Sequence, residues 1–187
     1  SNTRSLYLGN CNLHLTGTSN IWYQATSTGL TIVQGGSTIY VDDTSSSSKT
    51  LNLGYTASAS TAKTLNNISI TGGGTGAVVF SANTTDQPIF NNFTINYPKT
   101  VQLNQGRTFN INGAFTCVGA AGNQISLSSN SSATAATINF GASSSISIDY
   151  TTVRDITATG TGIPYALGQD CIWYSNNTGL TLLNFNK

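Results

Sequence analysis

The segment Leu65-Asn66-Asn67-Ile68-Ser69-Ile70 returns 25 residues later as Phe90-Asn91-Asn92-Phe93-Thr94-Ile95. Apolar residues and both Asn pairs keep their places, and the second half of each copy alternates apolar and polar. Period-two alternation is the mark of a half-buried strand. A repeat in the twenties is the length of one solenoid coil, a unit that cannot bury its apolar face alone and therefore stacks on its neighbours. Stacking also brings equivalent Asn amides into register, where they can hydrogen-bond along a ladder.

Similar alternation predicts strands at 5–8, 12–15, 21–24, 30–34, 38–42, 50–53, 65–71, 77–82, 89–96, 100–103, 108–112, 115–118, 124–128, 137–140, 145–150, 153–157, 171–174 and 180–185, broken by Gly, Ser and Asn. No stretch of ten residues carries a helical period. Short, closely spaced strands fit a sandwich, a barrel or a solenoid. The repeat favours the solenoid, and so does the shortage of hairpin signals. Asn112-Gly113 is read as a corner within one coil, with a hairpin as the competing reading. The expected fold is all-β, a single-stranded right-handed parallel β-helix forming one domain over 1–187. At about 20–25 residues per coil it makes about eight coils, a rod on the order of 40 Å long at about 4.8 Å per coil.

Parity assigns an inward set of Leu13, Leu15, Ile68, Ile70, Val79, Phe93, Ile95, Val101, Leu103, Phe109, Ile111, Phe115, Cys117, Ile125, Leu127, Ile138, Phe140, Ile146 and Ile148. The open ends of such a rod expose unpaired strand edges, and no amphipathic capping helix is legible at either end. Missing parent sequence, a partner chain or end-to-end stacking would each supply the cap.

Charged residues make up only 7% of the 187, with no Glu, and the net charge is +1, so no basic field draws the chain to nucleic acid. No membrane span or signal peptide is visible. Cys11, Cys117 and Cys171 lack the two-residue spacing of a zinc or redox motif. They allow one disulfide and a thiol, or three free thiols. Buried free thiols are the preferred reading, since an isolated Cys packs as a small apolar residue.

Several segments, taken in order, carry a resemblance. They are Thr18-Ser19-Asn20-Ile21-Trp22-Tyr23-Gln24-Ala25, Thr28-Gly29-Leu30-Thr31-Ile32, Asp43-Thr44-Ser45 running into Lys49-Thr50-Leu51, and the two repeat copies, the first followed by Gly72-Gly73-Gly74-Thr75-Gly76-Ala77-Val78. The series continues with Ile146-Ser147-Ile148-Asp149-Tyr150, Val153-Arg154-Asp155-Ile156-Thr157-Ala158-Thr159-Gly160, Trp173-Tyr174 and Asn176-Asn177-Thr178-Gly179-Leu180. Together they resemble the right-handed parallel β-helix modules of tailed-phage structural proteins (tail fibre, spike or decoration) and of bacterial surface proteins. In that class the closing segment usually ends on Trp after the Thr-Gly, where this chain has Leu180. The resemblance implies a fold and a surface setting, not a reaction.

Candidate chemistry is sparse. A glycoside hydrolase needs two carboxylates about 5–10 Å apart, and the acids are Asp42, Asp43, Asp86, Asp149, Asp155 and Asp170. Asp42 and Asp43 are adjacent and point to opposite faces of a strand. Asp149 and Asp155 with Arg154 form the best cluster, read as a structural ion pair or Asx corner against a catalytic or ion-binding pair. His14 is the lone histidine and faces solvent by parity. Gly72-Gly73-Gly74-Thr75-Gly76 lacks the following Lys of a phosphate loop and reads as a corner. Tyr7, Trp22, Tyr40, Tyr97, Trp173 and Tyr174 are candidate sugar-stacking or interface aromatics, with core or corner covers as the competing reading for the two Trp. An ice-binding array is a minor option, because no strict Thr-x-Thr recurs coil after coil.

The expected function is a non-catalytic structural and binding module at a virion surface, contacting the host surface or neighbouring structural proteins. A bacterial surface adhesin or filament subunit is the alternative, and a polysaccharide-degrading enzyme ranks below both. Expected partners are surface glycans, neighbouring structural proteins or other copies through uncapped ends, with no nucleic acid, membrane insertion, cofactor or metal.

Overall fold

The computed structural model describes residues 3–24, 29–54, 63–83, 87–96, 99–161, 163 and 165–182. Strands β1 (Arg4–Tyr7), β2 (Asn12–Leu15) and β3 (Ser19–Tyr23) make the first coil, and β4 (Leu30–Val33), β5 (Thr38–Val41) and β6 (Lys49–Asn52) the second. Next come the long β7 (Thr64–Ile70) with β8 (Val78–Ser81), and β9 (Ile89–Ile95) with β10 (Thr100–Leu103). Then follow β11 (Thr108–Ile111), β12 (Ala114–Val118) and β13 (Ile125–Ser129); β14 (Ala136–Phe140), β15 (Ser145–Asp149) and β16 (Thr151–Arg154); β17 (Ile156–Gly160), β18 (Tyr165–Leu167) and β19 (Ile172–Trp173); and last β20 (Leu180–Leu182).

Every strand pairs in parallel with its equivalent in the next coil, so the fold is an all-β parallel solenoid. One face is a seven-stranded sheet in the order β19-β16-β13-β10-β8-β6-β3. A nine-stranded sheet covers two more faces, because β7 and β9 each span a corner that later coils divide, β9 pairing with both β11 and β12. The sequence repeat is this stacking: Leu65 faces Phe90, Asn67 faces Asn92, Ile68 faces Phe93 and Ile70 faces Ile95. Asn112-Gly113 is a corner, since the strands on either side both run parallel to their neighbours.

Among the described residues there are fewer than the eight coils expected. Coil length varies, from 15 residues where Tyr165 faces Leu180 to 31 where Ala114 faces Ser145. Corner loops such as that between β12 and β13 add residues without adding a rung.

The inward columns form one core. Phe80, Phe90, Phe93, Phe115 and Phe140 meet edge-on or tilted in a chain, with centroids 5.1–6.0 Å apart. Each buried ring contributes about 1.5–3 kcal/mol by leaving water. Val79 departs from expectation: it points outward while Val78 and Phe80 are fully buried. The run Val78-Val79-Phe80 is apolar throughout, so parity alone cannot set its phase. Pairing with Lys49 and Leu51 of β6 does, and it seats the largest side chain inside. Leu13, Leu15 and Ile146 are partly buried, packed against the core.

Polar ladders run outside. Asn92 donates to Asn67 Oδ1 at 2.7 Å and accepts from Ala114 N–H at 2.7 Å, and Asn91 donates to Asn66. Asn139 donates to Asn110 and accepts from the Thr159 hydroxyl, and Asn130 donates to Asn104.

Candidate functional site

The sequence-predicted aromatics fall in three places. Tyr40 is half-buried on the nine-stranded sheet, where it stacks on His14 with centroids 4.9 Å apart and planes 11° from parallel. The His14 ring in turn meets Asp42 at 2.5 Å, so the lone histidine has two partners across the first two coils. Tyr7 and Trp22 lie on the first coil, Trp173 on the last strand of the seven-stranded sheet and Tyr174 directly after it. Tyr97 and Asp86 lie outside the described residues.

Both Trp occupy inward register positions at opposite edges of one sheet. A bulge in β3 between Asn20 and Trp22 sets Trp22 over the fully buried Leu51. Trp173 faces the fully buried Val153. Trp22 packs against the core, whereas Trp173 remains 39% exposed. Bulky rings therefore lie across the ends of the core columns.

Four of the five described carboxylates make structural contacts. Asp155 is buried with φ +56°, and its Oδ1 accepts from Ala133 N–H and Asn176 Nδ2. Its Oδ2 lies 3.3 Å from the exposed Arg154 Nε. Asp149 accepts from Tyr150 N–H instead of joining that pair. Asp42 and Asp43 diverge, Asp42 to His14 and Asp43 to the buried Lys49 ammonium.

Lys49 and Lys99 escaped the sequence reading. Both are buried, and their ammonium groups donate to carbonyls of corner loops, Lys49 to Ser45 and Ser47 and Lys99 to Gly74. Desolvation lowers both pKa values, and for Lys99 the charge of Lys49 adds to it. The signal was present as parity: Lys49-x-Leu51 and Lys99-x-Val101-x-Leu103 place each lysine on the inward face. Here Gly72-Gly73-Gly74-Thr75-Gly76 lies directly on Asp43–Ser47. A Cβ on Gly72, Gly74 or Gly76 would sit 2.0–2.2 Å from the carbonyl oxygens of Asp43, Ser45 and Ser47.

A groove of about 440 Å³ opens at the corner before the seven-stranded sheet, lined by Ala121, Gly122, Gln124, Tyr150, Asp170 and Cys171 among others. The loop between β12 and β13 forms one wall, closed by reciprocal bonds between Ala120 and Asn123. Tyr150 and Asp170 both have positive φ, 46° and 52°, at equivalent corners of successive coils. Gln124 Nε2 donates to the Asp170 carbonyl. The Tyr150 hydroxyl is pushed up in pKa by burial first, then by the Asp170 charge and a hydrogen bond to it. A carboxylate, a phenol and an amide beside the apolar Ile172 make a rim for a hydroxyl-rich ligand. Among the described residues, no three of His, Cys, Asp and Glu come together as a metal-binding group.

Compared with family models, curated proteins and solved structures, the chain matches none.

Proposed function

We propose that this chain is a non-catalytic structural and binding module displayed at a surface, that of a virion or alternatively of a bacterial cell. It presents a hydrogen-bonded rod whose corner groove contacts glycans. The surface setting rests on the motif order set out above. The observation that carries the module reading is the engagement of four of the five described acids in holding coils and corners: Asp42 with His14, Asp43 with Lys49, Asp155 with Arg154 and Asn176, Asp149 with a backbone N–H. Outward Asn and Thr side chains likewise bond from coil to coil, which suits a rod exposed to salt and proteases.

Binding to immobilised neutral and acidic polysaccharides tests the reading. The expected result is retention of the protein on at least one of them, weakened at least tenfold by Tyr150→Ala or Asp170→Asn with the melting temperature unchanged. Release of reducing ends or unsaturated uronates from any of these polysaccharides, abolished by Asp149→Asn or Asp155→Asn, would overturn it. So would absence of retention across the whole panel.

A further inference from the structure

We infer that the corner groove takes an uncharged glycan and turns away acidic ones, those that carry uronate, sialate or sulfate groups. The inference rests on glycan contact at this groove and names the class of sugar. The lining is one-sided in charge. Asp170 supplies a carboxylate, and among the described residues no Lys, Arg or His lines the groove. A second carboxylate stands behind it. Asp149 directly precedes Tyr150, and its charge reaches both Tyr150 and Cys171, as does that of Asp170. The cation on the adjoining strand is engaged elsewhere. Arg154 lies two residues beyond Thr152, the partner of the groove residue Ile172, and its Nε is 3.3 Å from Asp155 Oδ2.

Backbone bonds fix the walls. Tyr150 N–H donates to the Gln169 carbonyl at 2.9 Å and to Asp149 Oδ1 at 3.1 Å. Ile125 N–H donates to the Tyr150 carbonyl at 3.1 Å, and Gly119 N–H to the Asp149 carbonyl at 3.0 Å. The Asp149 carboxylate also lies against Gly168, where a Cβ would stand 3.1 Å from its Cγ and Oδ1. The groove is therefore preformed, and the two acids keep their places when a ligand arrives.

Two lining groups register the resulting field. Burial is the first cause that raises the Tyr150 phenol, followed by the Asp170 charge, a hydrogen bond to Asp170 and the Asp149 charge. Burial likewise raises the Cys171 thiol, and the charges of Asp149 and Asp170 raise it further, against backbone hydrogen bonds that lower it. A phenolate or a thiolate in the groove meets the same repulsion that a uronate would. Concave walls of one sign concentrate such a field. A neutral sugar meets the Asp170 carboxylate differently, as a charged acceptor for its hydroxyls. Its C–H face can rest on the Tyr150 ring and on Ile172.

Matched polymers test this. Neutral glucan, mannan and galactan are immobilised beside the same polymers after oxidation of their primary alcohols to carboxylates, with EDTA present so that no divalent cation bridges the acids. Retention is expected on at least one neutral polymer, with its carboxylated counterpart held about tenfold more weakly at low salt. The gap should shrink at about 1 M salt, where the screening length is about 3 Å. Asp149→Asn keeps an acceptor for Tyr150 N–H and removes the charge, so it should narrow the gap as well. Titration of the Tyr150 phenol by NMR needs no ligand, and its midpoint is expected at lower pH in Asp149→Asn than in the unaltered chain. Equal or stronger retention of the carboxylated polymer at low salt would overturn the inference while leaving glycan binding in place. So would a gap that neither salt nor Asp149→Asn changes. Failure of every neutral and carboxylated polymer to be retained would instead remove the glycan reading on which the inference rests.

Discussion

At the residue scale the buried Lys49–Asp43 pair stands out, because a desolvated charge is tolerated only with its partner in place. Asp43→Ala is expected to destabilise the fold by about 3–5 kcal/mol. Adding Lys49→Met should recover most of that loss, since the unpaired charge then disappears; urea titration of the two variants checks both. Cys117 behaves in the opposite electrostatic sense. Burial pushes its thiol up to about 12 from an ordinary 9.0, against a lowering by the Thr151 hydroxyl. A folded value above the unfolded one gives stability that is complete below pH 9.0 and is lost as pH rises towards about 12. Cys117→Ala should remove this slope, so the stability gap between parent and variant narrows across that window. At pH 8 a thiol reagent is expected to label the exposed Cys11 at once and the buried Cys117 only on unfolding. The expectation of buried thiols therefore applies to Cys117 and not to the exposed Cys11.

At the element scale the corners decide more than the strands. Strand positions followed from period-two alternation because each strand buries one face against the core. Corners obey no such period, and loops of different length fit between the same rungs. The glycine track shows why. Gly76 allows two backbone segments to touch, with Ser47 O 2.0 Å from where a Cβ would be, while nothing lies near a Cβ on Gly73. Gly76→Ala is expected to cost about 3 kcal/mol as an overpacked contact, and Gly73→Ala less than about 0.5 kcal/mol as a surface change. Thermal melts of the two single variants make the comparison. A glycine-rich run is visible in the sequence, but the alternation of essential and dispensable positions within it belongs to the neighbouring coil.

At the scale of the whole molecule, each coil rests on two others except at the ends. Stability then follows nearest-neighbour contacts, and opening starts at the termini of the stack. Native-state hydrogen exchange should find the slowest amides in β9 through β14 and the fastest in β1 and β19, and a uniform pattern would contradict it. The two Trp belong to this scale as well. In the sequence they were either surface platforms or covers, and pairing with Leu51 and Val153 sets both on inward columns. The amino-acid sequence by itself determined the fold class, the stacked Asn pairs and most inward positions, because alternation and repeat length are local quantities that the chain carries wherever it folds. Tertiary structure decided the phase of Val79, the burial of Lys49 and Lys99, and the corner groove. Each of these depends on which residue a neighbouring coil sets alongside, and loop lengths that carry no period control that register.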